Sequence, residues 1–207
     1  SVLAGPVAVA SDGTFVLSYS GSYTGPVLAR IIDRDSGSDY ADEATGTQKD
    51  LAGDLRTMFV SPSGVQTIRI SVNPISELAV RELGLSSGDN GLSSIKASNL
   101  TAAQVNAANV KVAKAFGLDG DATQVAIAVI NQDGTSNTGA NAVGVALASL
   151  SGLDKLYAGS GDYLAKVAAA VASGDADRIT ALRIAGATVA DSSGQLLAGL
   201  AKTDASI

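Results

Sequence analysis

The sequence predicts an α+β protein: an N-terminal antiparallel β-sandwich portion over residues 1–72, packed on a C-terminal helical bundle over residues 73–207. Three observations predict it. The first 72 residues alternate apolar and polar side chains with period two, and Gly/Ser/Asp turns break the runs. The pattern changes abruptly at Asn73-Pro74. Beyond that point alanine-rich segments repeat their apolar residues at helical spacing.

The strands follow in order. GPVAVA (residues 5–10) ends in the turn Ser11-Asp12-Gly13. TFVLSYS (14–20) places Phe15, Leu17 and Tyr19 on one face. GPVLARIID (25–33) leads into an acidic stretch, and LRTMFVS (55–61) follows it. After the turn Ser61-Pro62-Ser63-Gly64, VQTIRISV (65–72) aligns Ile68, Ile70 and Val72. Short alternating strands between such turns suggest packed antiparallel sheets.

At the junction, Asn73 suits an N-cap and Pro74 the first helical turn. Ile75, Leu78, Ala79 and Leu83 then recur at helical spacing until Gly84. Thr101-Ala-Ala-Gln104 is a capping box, with Leu100 and Val105 as its hydrophobic staple. That helix carries Val105, Ala108, Val112 and Phe116 on one stripe and stops at Gly117. Residues 141–150, 162–173 and 175–185 read as further helices, and 192–201 as a weaker one. The junction has no linker, so the two halves are expected to share a core and unfold as one unit.

Composition narrows the chemistry. The 207 residues are 46% hydrophobic but only 4% aromatic, with no Trp and one Met, so the core is aliphatic. A net charge of −6 argues against nucleic acid or anionic lipid as partner. No apolar run is long enough to span a bilayer, so membrane insertion is not expected. There is no His and no Cys, which removes the usual general base, thiolate nucleophiles, disulfides and thiolate zinc sites. Any metal would be a hard cation on oxygen ligands, calcium above all. The start at Ser1 rather than Met leads us to expect a longer parent protein.

DRDSGSDYADEATG (residues 33–46) holds five carboxylates. Asp33, Asp35 and Asp39 sit at offsets that open an EF-hand loop, but Ser38 replaces its glycine and Ala44 its bidentate Glu. Two readings remain: a solvated acidic turn, and a looser calcium site on Asp33, Asp35 and Asp39. Asp119-Gly120-Asp121 offers two carboxylates, too few for calcium by themselves, and reads as a turn. The polar loop Asn131 to Asn141 is expected to be exposed and tolerant of insertion. Tyr19, Tyr23 and Tyr40 are the densest aromatic group available for stacking on a sugar. For catalysis, Asp42 and Glu43 are adjacent and would point to opposite strand faces, while Ser76 and Ser94 lack a histidine partner. A non-enzymatic role is expected.

DGTFVLSYSGSYTGPVLARI (12–31) followed by YADEATG (40–46) resembles the later strands of transthyretin-like or carboxypeptidase-regulatory-like sandwich modules of large bacterial surface proteins. ISVNPISELAVREL (70–83) resembles the strand-to-helix junction that follows in them. NLTAAQVNAANVKVAKAFGL (99–118) and NAVGVALASLSGLDKL (141–156) resemble their helical continuation. The likeness is one of pattern, over roughly residues 12–156, and a complete sandwich of that type carries one or two strands before the segment that opens here. It implies a partial, immunoglobulin- or transthyretin-like sandwich in an extracellular adhesin on the bacterial cell surface, of the repeats-in-toxin kind or a relative. The implied role is a scaffold that spaces or presents a ligand-binding domain. The implied partners are adjacent domains of the same protein, and host or biofilm glycan through a neighbouring lectin domain. The alternative is a module that itself binds glycan or peptide.

Overall fold

In the computed structural model, residues 3–10, 15–42, 47–51, 53–64, 67–85, 99–121, 123, 142–158 and 162–190 are described. Two aliphatic-rich segments, β1 (Gly25–Ile31) and β4 (Leu55–Ser61), form an antiparallel ladder running from Gly25 opposite Ser61 to Ile31 opposite Leu55. Between them, β2 (Tyr40–Ala41) and β3 (Gln48–Lys49) make a short hairpin with Tyr40 opposite Lys49. Among the described residues five helices follow: α1 (Pro74–Glu82), α2 (Ala102–Ala115), α3 (Ala142–Leu156), α4 (Tyr163–Ser173) and α5 (Ala176–Ala190).

Local chemistry starts the helices. The Asn73 side chain accepts from the Ile75 and Ser76 N–H groups, and Ser76 Oγ accepts from Asn73 N–H in return. Thr101 and Gln104 reciprocate in the same way at α2. Asp162 caps α4, and Gly174 ends it in the left-handed conformation with φ 68°.

Helical packing builds the main core. Ile75 and Leu78 of α1, Val112 and Phe116 of α2, Leu150 and Leu153 of α3, and Val167 and Val171 of α4 belong to one buried cluster. Each such side chain contributes roughly 1.5–3 kcal/mol by leaving water. A second cluster joins sheet to helices, with Met58 of β4 against Val80, Leu85 and Val105. Helices α3 and α5 cross with almost no gap: a Cβ on Gly186 would lie 2.0 Å from the Ser149 carbonyl oxygen, and one on Gly152 1.9 Å from that of Gly186. Only glycine fits at these two positions, and α3 runs on to Leu156 and α5 to Ala190, past the ends expected from sequence.

The described residues are thus mixed α/β, and no sandwich is present among them. The segments expected as strands in 5–10, 15–20 and 67–72 enter no ladder among the described residues, although Ser71 N–H donates to the Thr123 carbonyl at 2.6 Å. One physical reason lies at the outer edge of β4. Arg56 N–H donates to Glu77 Oε2 at 3.1 Å, Ser76 Oγ donates to the Arg56 carbonyl at 2.8 Å, and Asn109 Nδ2 donates to the Met58 carbonyl at 3.1 Å. Helix side chains stand where a further strand would bond. Residues 15–20 meet β4 through a side chain instead, with Tyr19 Oη donating to Ser61 Oγ at 3.0 Å. Of the face expected from Ile68, Ile70 and Val72, Ile68 is exposed and the other two are half-buried. The expected helix at 192–201 lies outside the described residues.

Candidate functional site

The acidic stretch begins where β1 ends. Asp33 Oδ1 accepts the Asp35 N–H at 3.0 Å, and Asp35 Oδ1 accepts the Gly37 N–H at 2.8 Å. These are two successive Asx turns, which bend the chain back toward β2. The hairpin then sets the next carboxylates: Asp39 N–H donates to the Lys49 carbonyl at 2.8 Å, so Asp39 comes beside Asp50. Asp39 Oδ2 also accepts the Leu51 N–H at 2.9 Å.

Asp33, Asp39 and Asp50 therefore converge, each offering a carboxylate oxygen within 4.8 Å of the others. Of the three residues expected from sequence, Asp33 and Asp39 come together. Asp35 is not in that cluster, and its Oδ1 serves the Gly37 turn. Asp50 takes its place, brought in by hairpin register rather than by spacing within the loop. Local loss of hydration, and then the charges of Asp33 and Asp39, hold the Asp50 carboxyl above the ordinary carboxylate range. The mutual repulsion of three converging carboxylates would be relieved by a hard cation on oxygen ligands, the class to which calcium belongs.

The other expected residues do structural work. Asp121 Oδ1 accepts from Thr123 N–H at 2.8 Å and Thr123 Oγ1 at 2.7 Å, and its Oδ2 accepts from Asn109. It braces α2 against the chain that follows, while Asp119 is exposed. Tyr19 and Tyr23 turn their hydroxyls inward, to Ser61 Oγ and to the Pro26 carbonyl at 2.8 Å. Tyr40 is 37% exposed. Ser76 is spent on the α1 cap and the Arg56 carbonyl. Glu43, Ser94 and the loop from Asn131 to Asn141 lie outside the described residues.

Two polar joints that sequence did not point to link the β-rich segments to the helices. In the first, Glu77 of α1 is 1% exposed and receives Arg56 Nη2 at 2.7 Å, Arg56 Nε at 2.9 Å and Arg81 Nε at 2.9 Å. Arg81 continues to Asp162 at 2.6 Å, so the chain of charges runs from β4 through α1 to the cap of α4. In the second, Lys49 of β3 lies 2.8 Å from Asp42 Oδ2 and 3.2 Å from Asp154 Oδ2 of α3, and Ser151 Oγ donates to Asp42 Oδ2 at 3.1 Å. Partial burial pushes Lys49 down, but Asp42 and Asp154 outweigh it and leave its ammonium above the usual lysine value. Nearby, burial raises the Tyr163 hydroxyl well beyond its ordinary range, with Asp154 adding to the effect.

No family model matches the chain, and comparisons with curated proteins and with solved structures return no match either.

Proposed function

We propose that this chain is a non-enzymatic structural module of a bacterial cell-surface adhesin, spacing or presenting a neighbouring ligand-binding domain outside the cell. The observation that carries this reading is the buried ion chain Arg56–Glu77–Arg81–Asp162. A spacer must hold its two ends in a fixed relation, and here Arg56 of β4 and Glu77 of α1 form a buried pair that cannot be separated without stranding a charge in a dry interior, while Arg81 extends it to the exposed Asp162 at the start of α4. The second joint, at Lys49, adds a partly exposed ion pair between the hairpin and α3. In this reading the β-rich half is a partial sandwich, with residues 15–20 lying against β4 through Tyr19. Calcium on Asp33, Asp39 and Asp50 would pin the acidic loop and stabilise the module by mass action. Its partners are the adjacent domains of the same protein, with glycan recognition left to a neighbouring lectin domain.

Calorimetry of the isolated chain, paired with glycan and peptide arrays, tests this. The expected result is one cooperative transition, with equal calorimetric and van't Hoff enthalpies, and arrays at background. Two separated transitions would remove the rigid-spacer argument. Saturable binding to a glycan or peptide would replace it with a ligand-binding role.

A further inference from the structure

We propose that the pocket between the end of α2 and the first turns of α5 binds a small free oxyanion of the sulfate or phosphate type. Lys114 and Ala115 line it from α2, and Ile179, Thr180 and Arg183 from α5. Lys114 falls in the last turn of its helix. Thr180 and Arg183 stand one helical turn apart, which sets them as neighbours on one face. Arg183 is 3% exposed, and its guanidinium carbon lies 5.9 Å from the centre of the Phe116 ring. Ring and helix hold that charge in place before a ligand arrives. Lys114 is exposed and enters no ion pair among the described residues.

The lining sets the sign of the ligand. Its charged side chains among the described residues are cations, which only donate, and Thr180 Oγ is the single side-chain oxygen beside them. A cation is repelled there, and an occupant must bring acceptors. The cavity holds about 210 Å³, below the roughly 300–1,000 Å³ of pockets that enclose drug-sized molecules, so it suits an ion with part of its hydration. Sulfate and phosphate spread their oxygens in several directions, so one ion can meet the ammonium on α2 and the guanidinium on α5 together, through bonds strengthened by charge on both sides. Two features oppose an anion, and the structure blunts both. The negative pole of α2 lies here, but Gly117 N–H donates to the Lys114 carbonyl at 3.0 Å and Leu118 N–H to the Ala113 carbonyl at 2.9 Å. Asp175 stands at the start of α5, but its Oδ1 accepts the Arg178 N–H at 2.9 Å and so serves as that helix's cap. A bound ion ties α2 to α5 and stabilises the chain by mass action.

The test is a titration of the isotope-labelled full chain with sodium sulfate, followed by backbone amide NMR at an ionic strength held constant with sodium chloride. The amides of residues 114–118 and 176–183 should shift together and saturate, and inorganic phosphate should compete for the same residues. Shifts that never saturate, or that spread evenly over the chain, are general screening and overturn the proposal. Lys114→Gln should weaken sulfate binding about tenfold, as expected for one lost bond between charged groups. Thr180→Val should weaken it by a smaller factor. Lys166→Gln removes the same charge outside the pocket and should bind like the parent; an equal loss in that variant shows attraction by net charge alone and refutes the site. Acetate should bind more weakly than sulfate, and glycerol phosphate more weakly than phosphate. Tighter acetate would reassign the pocket to carboxylates, and tighter glycerol phosphate would overturn the assignment to a free ion. Arg183→Met should abolish saturation in a chain whose amide spectrum is otherwise kept. If that buried change unfolds the protein, Lys114→Gln and Thr180→Val decide the matter.

Discussion

Replacing Glu77 by leucine removes the centre of the sheet-to-helix joint. The Arg56 guanidinium, on a side chain 2% exposed, then loses its buried carboxylate and keeps the neutral Leu85 carbonyl at 3.1 Å. Arg56 N–H loses its acceptor, while Arg81 keeps Asp162. Breaking a buried pair from one side costs about 3–5 kcal/mol, mainly through the charge left behind. For a chain of this size that is a fall in melting temperature of about 6–20 °C. The cause is separable from the loss of a contact. In Arg56→Met/Glu77→Leu the stranded guanidinium is gone, and the main residual cost is one buried N–H, about 1–3 kcal/mol. The double variant should therefore recover part of what the single one loses. Urea unfolding followed by circular dichroism measures both, provided the dependence on urea is unchanged. A single variant within about 1 kcal/mol of the parent, or a double variant no more stable than the single, would refute the reasoning.

Two further outcomes are expected. Gly186→Ala should cost about 1–3 kcal/mol or more, because α3 and α5 must part to admit the methyl group, and an unchanged melting temperature would show that the crossing is looser than described. Millimolar calcium should raise the melting temperature; Asp39→Asn and Asp50→Asn should abolish the rise and Asp35→Asn should spare it, whereas calorimetry with no binding heat would leave the acidic stretch as a turn alone.

The sequence by itself determined what depends on neighbours along the chain. Asn73-Pro74 and Thr101–Gln104 start helices because a cap satisfies backbone groups two or three residues away, and a motif of that length can be read directly. The stripe Val105, Ala108, Val112 and Phe116 is buried as its spacing indicates. The ladder segments 25–31 and 55–61 were legible as strands for the same reason. Tertiary structure decided the rest. The segments 15–20 and 67–72 carry strand patterns yet join no ladder among the described residues, since alternation shows which face is apolar but not whether an edge is free to bond. Asp33 and Asp39 lie close together as the acidic stretch suggested, but Asp50 rather than Asp35 joins them because hairpin register, not loop spacing, sets which carboxylates meet. Nothing along the chain marks Glu77, and only the packing of β4 against α1 puts it between Arg56 and Arg81. Lys49 meets Asp154 across more than a hundred residues, and Gly152 meets Gly186 at a helix crossing. Such contacts depend on how the chain closes in space, and no local pattern in the sequence records that closure.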